Sequence, residues 1–563
     1  MRRRAIAALR AGVRRLPWLR RHLLRWLAPV MPLLGRQIDK ASARPYAEWF
    51  AQWQAPRPDL LAGAPPLPFL AVIAGGAPGE PTRAALAAQS GPAPQVLSAD
   101  APDLAAAIAA CAGAGGYLLR LDAGETLAPH ALAGFATASL GTPRPLILLA
   151  DEDVVQANGQ HSDPWFKTPA FDPDRLLQQD SFGAAVAYEA AFLLRHQLGT
   201  LRGHALALAA SQAALAEAGP AAIRHLPAVL VHRPPGTPAP WRQRTDAAAV
   251  ARHLASGAEG ARLDADLAQR PLRLHWPLPE PAPLVSLIIP TRDRIDLLRP
   301  CVEGLLRRTE YPAIEVLIAD NDSTDPATLS AFAAWGEEGR VRVLPAPGPF
   351  NYSAINNRAV AAARGAVVVL LNNDTEVLHP DWLTEMVSLA LRPGVGAVGA
   401  RLLFPDGRVQ HAGVVLGLGG VAGHDMLLSG GEEDGPQDDL RLLRSVSAVT
   451  AACLAIRRET YLALGGLEET RFRVAYNDVD FCIRVREAGY RNLVTPHAAL
   501  LHRESASRGS DLAPAQRLRW EAECAAMEAR WGAVLRHDPW FSRQYRLDSA
   551  YRLLAEPGPR RAD

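Results

Sequence analysis

A duplicated α/β fold is what this sequence predicts, on three observations. Short apolar runs such as Leu284–Pro290, Ile314–Ala319 and Val367–Leu371 stop abruptly at polar clusters, as strands buried on both faces do when they deliver loops to one edge of a parallel sheet. Helix-length segments separate the runs, the alternation of an α/β protein. One pattern of strand, acidic loop and proline-started helix occurs twice, as Leu121-Asp122-Ala123-Gly124-Glu125-Thr126-Leu127-Ala128-Pro129 and as Asn372-Asn373-Asp374-Thr375-Glu376-Val377-Leu378-His379-Pro380. In that register the counterpart of Asp374 is Ala123, or Gly124 if one residue is skipped. The first copy is therefore expected to lack this carboxylate and to be degenerate.

The chain has 563 residues, 49% of them apolar and 21% charged, which suits a globular protein of two or three domains. A formal net charge of +2 argues against a nucleic-acid partner. Five cysteines without metal-ligand spacing fit thiols used as small hydrophobes in a reducing compartment. No apolar stretch is long enough for a transmembrane helix and arginines interrupt any signal-peptide core, so cytoplasmic residence is expected.

Residues 1–60 form a basic segment with no acid before Asp39, in which Trp18, Leu23, Leu24, Trp26 and Leu27 alternate with arginines. It reads either as an amphipathic anchor at the inner face of an anionic membrane or as a basic arm, disordered or packed on protein. Residues 61–240 read as the first α/β domain, with strands at Pro68–Ala74, Gly116–Leu121 and Pro145–Ala150 and a helix from Pro81 to Ser90. The adjacent acids Asp151, Glu152 and Asp153 are read as solvated groups flanking a turn rather than as a metal site. Residues 241–282, rich in Pro, Arg and Ala, read as a linker, 283–535 as the second domain and 536–563 as a tail.

In the second domain three successive strand ends carry Thr291-Arg292-Asp293, Asp320-Asn321-Asp322 and Asn372-Asn373-Asp374. Carboxylates and amides gathered there suit a nucleotide, and Asp374 suits a cation held against a diphosphate. Each cluster alone also fits loop and helix-cap chemistry. Downstream, Asp478 in Asn477-Asp478-Val479-Asp480 is placed to take a proton from a hydroxyl. His502, after a late strand, either completes a metal's ligand set or forms structural hydrogen bonds.

Taken in order, Ile289-Pro290-Thr291-Arg292-Asp293, Ala319 to Asp325, Leu371-Asn372-Asn373-Asp374 and Asn477-Asp478-Val479-Asp480 make residues 284 to about 510 resemble a family 2 glycosyltransferase of the GT-A fold. Asn351 to Asn357, His411-Ala412-Gly413-Val414 and His502-Arg503-Glu504-Ser505 are similar to the subgroup that assembles O-antigen and other bacterial surface polysaccharides. The first copy resembles the N-terminal half of tandem members, through Asp151-Glu152-Asp153 and Ser162 to Lys167. The resemblance implies two GT-A-like domains in tandem, the first degenerate. It implies inverting transfer of a sugar from a nucleoside diphosphate donor to an acceptor hydroxyl; together with the basic N-terminus this reads as a peripheral membrane enzyme that extends a glycan or lipid-linked glycan. Thr291, Asp293, Asp320 and Asn321 would contact the nucleoside and Asn373 the ribose. Asp374, with His502, would hold Mn2+ or Mg2+, and Asp478 would be the base. Asn372 replaces the first acid of the usual DxD, and Asn477 an acid often found before the base.

Gln516-Arg517-Leu518-Arg519-Trp520 also matches the QxxRW pattern of processive synthases. Without membrane helices the match reads as coincidence, with Trp520 packed on the domain and Gln516 and Arg519 solvated. A non-catalytic glycan- or nucleotide-sugar-binding scaffold and a synthase-like enzyme stand as the alternatives.

Overall fold

The structure, a computed structural model, describes residues 46–53, 63–75, 79–184, 186–237, 245–257, 260–264, 266, 270–503, 514–547, 551 and 553. The basic segment before residue 46, and with it the membrane expectation, lies outside the described residues. Helix α1 (Tyr46–Trp53) precedes the first sheet. That sheet is built from β1 (Phe69–Ala74), β2 (Gln95–Ser98), β3 (Tyr117–Asp122), β4 (Thr126–Leu127), β5 (Ile147–Val155), β6 (His161–Trp165), β7 (Val186–Glu189) and β8 (Ile223–Arg233). Its order is β2-β1-β3-β7-β5-β8-β4, with β6 on β5. Helix α2 (Pro173–Gln178) lies between β6 and β7. A short hairpin, β9 (Arg262–Leu263) and β10 (Leu274–His275), lies in the stretch before the second sheet.

The second sheet begins with β11 (Val285–Thr291), followed by α3 (Ile295–Arg308), β12 (Ile314–Asp320) and β13 (Val341–Pro345). Helix α4 (Tyr352–Ala362) leads to β14 (Val367–Leu371), β15 (Thr375–Val377), β16 (Val395–Leu403) and β17 (Val409–His411). The hairpin β18 (Val414–Leu416) and β19 (Ala422–His424) comes next, then β20 (Arg444–Val446) and β21 (Cys453–Arg457). Helix α5 (Asn477–Glu487), β22 (Arg491–His502) and α6 (Pro514–Leu535) complete it. The order is β13-β12-β11-β14-β21-β16-β22-β15, with β17 on β16 and β20 on β22. All five residues of β14 are fully buried, which explains why an uninterrupted aliphatic run with no polar alternation forms the strand.

Omitting β13 and β20, the two sheets match strand for strand. The pairs β1·β2, β1·β3 and β5·β8 are parallel while β3·β7, β5·β7, β4·β8 and β5·β6 are antiparallel. The pairs β11·β12, β11·β14 and β16·β22 repeat the first set, and β14·β21, β16·β21, β15·β22 and β16·β17 the second. Pairing also corrects the sequence register. Thr126 lies opposite His232, as Thr375 lies opposite His502. The residue standing where Asp374 stands is thus Glu125, not Ala123 or Gly124, and the first copy keeps a carboxylate there. Loop residues carry no period, so only cross-strand partners fix the alignment.

Asp151, Glu152 and Asp153 are likewise corrected: they lie inside β5 and are fully buried. Each is matched by a donor, as buried charge requires. His225 Nε2 lies 2.8 Å from Asp151 Oδ1, Lys167 Nζ donates to Glu152 at 3.1 Å, and Asp153 meets His161, His232 and the Tyr46 hydroxyl at 2.7, 2.6 and 2.7 Å.

Helix α2 docks the first sheet's unit on the second. Asp172 accepts the Ser445 N–H at 2.7 Å, and Gln178 both donates to and accepts from the backbone of Leu443, at 2.7 and 3.0 Å. Asp174, fully buried, pairs with Arg392 at 2.6 Å and with Arg491. Burial works against its charge, yet the two guanidinium groups outweigh it and hold the carboxyl at about 2.

Candidate active site

The C-terminal ends of β11 and β14 open onto a cleft of about 540 Å3. Thr291, Asn372, Asn373, Asp374, Asp478 and His502 all line it, with Tyr352, Gln410, His424 and Trp520. The fold thus brings together five of the eight residues singled out in the sequence: Thr291, Asn373, Asp374, Asp478 and His502. Asp293, Asp320 and Asn321 are outside the lining.

Those three instead brace the loops that follow β11 and β12. Asp293, in a left-handed conformation with φ 53°, accepts the Thr324 and Asp325 N–H groups on Oδ1 at 2.7 and 2.8 Å. Asp320 Oδ1 accepts the Ser323 N–H at 3.1 Å. Asn321, buried, donates both Nδ2 protons to the carbonyls of Ala346 and Gly348 at 2.8 Å each. Its amide braces the 346–348 turn. Within the cleft, Asn373 Nδ2 donates to Thr291 Oγ1 at 3.0 Å, which ties the ends of β14 and β11 together.

At the end of β14 the geometry suits a cation. Asp374 is 4% exposed and its Oδ1 is buried without a hydrogen-bond partner, an arrangement that costs free energy unless a ligand answers it. His502 Nε2 lies 3.1 Å from that oxygen. His502 Nδ1 lies 2.6 Å from Gln410 Oε1. The carboxamide oxygen can only accept, so the ring proton sits on Nδ1, and Nε2, which accepts the Asn372 Nδ2–H at 3.2 Å, also lies beside Asp374. Two ligand atoms held about 2.1 Å from one ion at right angles stand about 3 Å apart, the separation seen here. Cys301, beside the same loop through its contact with Thr375 Oγ1 at 3.6 Å, is no competitor, because burial pushes its thiol up to about 12.

Among the described residues another group of ligand types, Asp153, His161 and His232, gathers its ligand atoms within 4.8 Å. It belongs to the first sheet. Its contacts of 2.6 and 2.7 Å are hydrogen-bond lengths, shorter than the spacing of two ligands on one ion.

Across the cleft, Asp478 lies in the first turn of α5. Its Oδ2 accepts the Ala451 N–H at 3.0 Å and its Oδ1 the Val479 N–H at 2.8 Å. Asp480, two residues on, points away. It is fully buried and takes Arg484, Trp531 and Arg530 at 2.9, 2.9 and 3.0 Å, which fastens α6 to α5. Glu523 on α6 accepts the Val474 and Ala475 N–H groups at 2.9 and 3.1 Å, so α6 also holds the turn that leads to Asp478. The expectation for Gln516 to Trp520 is corrected here. Trp520 lines the cleft, the Arg519 guanidinium lies 3.4 Å from Glu523, and Gln516 Oε1 is buried. Sequence reasoning missed Tyr352, whose hydroxyl donates to Asn372 Oδ1 and Ala451 O at 3.2 and 2.9 Å, and also Gln410 and His424. Tyr352 lies within the Asn351 to Asn357 run, read without a role for it, and the partners of Tyr352 and Gln410 are distant in the chain.

The model of glycosyl transferase family 2 matches residues 286–419, a range that includes Asp374 and stops short of Asp478 and His502. An uncharacterized protein, y4gI, of Sinorhizobium fredii is 41% identical over 79% of this chain and 50% of its own length. The O-antigen biosynthesis protein RfbC of Myxococcus xanthus is 39% identical over 72% of this chain and 32% of its own length. The chain therefore spans about half or less of these two relatives. An N-acetylglucosaminyl-diphospho-decaprenol L-rhamnosyltransferase of Mycobacterium tuberculosis is 28% identical over 36% of this chain and 70% of its own. A mannosyltransferase of Pyrobaculum calidifontis, solved with GDP-Man and Mn2+, aligns at 20% identity with a TM-score of 0.33, over 44% of this chain and 64% of that one; this is too low a score to place any atom of the site. Residues 286–419 of this chain thus form a glycosyl transferase family 2 domain.

Proposed function

We propose that the chain is an inverting glycosyltransferase that moves a sugar from a nucleoside diphosphate to a hydroxyl of a glycan or lipid-linked glycan, in assembly of a bacterial surface polysaccharide. The observation that carries this reading is the buried Oδ1 of Asp374, which takes no hydrogen bond and lies 3.1 Å from His502 Nε2, in a cleft that also holds Asp478. Asp374 and His502 would hold Mn2+ or Mg2+, which when bound would offset the negative charge that builds on the departing diphosphate.

The remaining steps belong to the chain's own groups. Thr291 and Asn373 present a joined hydroxyl and amide to the nucleoside and ribose. Asp293, Asp320 and Asn321, outside the lining, would act through the loops and the turn they brace. Asp478 takes the proton of the acceptor hydroxyl as its oxygen attacks the anomeric carbon, and the bond from that carbon to the diphosphate oxygen breaks on the opposite side. The Ala451 and Val479 N–H groups fix the carboxylate for in-line attack. RfbC's role in O-antigen biosynthesis and the rhamnosyltransferase's lipid-linked substrate support the surface-glycan setting.

The test is a panel of nucleotide sugars with Mn2+ or Mg2+, read first as thermal shift and then as turnover. The parent is expected to gain heat stability with one donor plus cation. Asp374→Ala should lose the cation-dependent part. Asp478→Asn should keep donor binding while turnover falls by about 10²–10⁴. A folded Asp478→Asn protein working at the parent rate sinks the assignment.

A further inference from the structure

The hydrogen bonds around β17 carry a second assignment in the same cleft. His411 is fully buried, and the Thr450 N–H donates to its Nε2 at 3.4 Å. An amide nitrogen can only donate, so Nε2 bears no proton and the ring proton of His411 sits on Nδ1. That Nδ1 lies 2.9 Å from Nδ1 of His424, with the two rings perpendicular at 89°. His411 must donate and His424 must accept. His424 therefore carries its own proton on Nε2, and it lines the cleft. Protonating either ring would set N–H against N–H. Burial, with His424, Arg444 and His502 nearby, pushes His411 well below the usual histidine range, in keeping with a neutral pair.

The pair shares a turn with Asp478. Consecutive amides of one turn hold both: the Thr450 N–H binds His411 and the Ala451 N–H binds Asp478 Oδ2. We propose that His424 presents its Nε2–H to an oxygen of the acceptor sugar, and that His411 is the positioning residue that fixes the required tautomer. A neutral donor suits a hydroxyl, ring or acetamido oxygen. The neighbouring Gln410 sets the opposite tautomer in His502, so adjacent residues of β17 give the cleft one histidine that donates and one that accepts. The proposal deepens the glycosyltransferase reading and rests on it for the identity of the acceptor.

The test uses the full-length protein labelled with 15N-histidine, in which nitrogen shifts report the proton position in each ring, with His411→Phe and His424→Ala for assignment. His424 should show a bare Nδ1 and a protonated Nε2. The probes are p-nitrophenyl glycosides of common hexoses and N-acetylhexosamines. At least one should move the His424 Nε2 signal in the parent and in Asp478→Asn alike. His424→Ala should bind that probe about five- to tenfold more weakly, and His424→Gln, whose carboxamide N–H reaches the same place, should restore most of the loss. A proton on Nδ1 of His424, or a panel of which no member moves its signal, overturns the proposal. Because the readout is binding, an Asp478→Asn protein that turns over normally would defeat the base assignment alone. If His411→Phe does not fold, the His424→Ala and His424→Gln pair carries the test.

Discussion

Where β4 crosses β8, and again where β15 crosses β22, the chain sets a threonine opposite a histidine with a carboxylate just before it. The two corners then diverge. In the second sheet His502 turns to Asp374, whose Oδ1 is left unanswered. In the first, Glu125 Oε2 accepts the Asp122 N–H of its own loop at 2.8 Å and its other oxygen lies 3.7 Å from Arg233, while His232 is drawn to Asp153. The divergence extends to the helix that should carry the base. In the place of α5 the first unit has the helix Gly203–Ala218, whose second residue is His204. That ring is occupied on both sides, by Leu176 O at 2.7 Å and the Asp246 N–H at 3.1 Å. One corner is internally satisfied and the other is poised for a ligand, which supports the proposal that only the second unit is catalytic.

The comparison breaks most readily at the docking surface that joins the two units. Asp174→Asn would leave Arg392 and Arg491 buried beside a neutral group, and losing one partner of such a network costs about 3–5 kcal/mol. Urea unfolding should show this loss, or an earlier separate transition for the first unit. The pH dependence follows from the sign of the shift. Because the folded carboxyl is held at about 2, below an unfolded value of about 3.9, its contribution is full above pH of about 4. It is lost as pH falls toward about 2. In the Asp174→Asn protein that acid-dependent component should be absent.

A smaller effect sharpens the catalytic corner. Gln410→Leu removes the acceptor for His502 Nδ1–H, so the ring is no longer held with its Nε2 beside Asp374. Removing such an outer partner typically weakens metal binding about 10–100-fold. Titration with Mn2+ in the absence of donor measures this directly. Unchanged Mn2+ affinity in a folded variant would mean that His502 is not a ligand.

Much of this was legible in the residues. Val367–Leu371 forms the strand its five aliphatic residues predict, and α3 fills the helix-length segment between the first two apolar runs of the second domain. Thr291, Asn373, Asp374, Asp478 and His502 do meet in one cleft. Illegible features were those decided by distant partners. Asp151 to Asp153 look like a solvated turn until Lys167, His161, His225 and His232 are brought to them. Gln410 reaches His502 across 92 positions, and α6 reaches the turn before Asp478 across about 50. Nothing periodic announces such contacts, because side-chain hydrogen bonds between strands depend on topology rather than on local pattern.

The last contrast is expected to be smallest on turnover and most informative about the duplication. Glu125→Ala deprives the Asp122 N–H and Arg233 of their carboxylate, and an unanswered buried group of this kind costs about 1–3 kcal/mol. Stability should fall by that amount while transfer by the folded protein stays within about twofold of the parent. Asp374→Ala should behave in the opposite way. Its Oδ1 takes no hydrogen bond within the protein, so removing it should cost little stability without a cation, while transfer is lost. If Glu125→Ala instead lowered transfer without destabilising the chain, the first corner would have to be counted as part of the reaction. The shared crossing would then mark a second working site rather than an internally closed copy of the first.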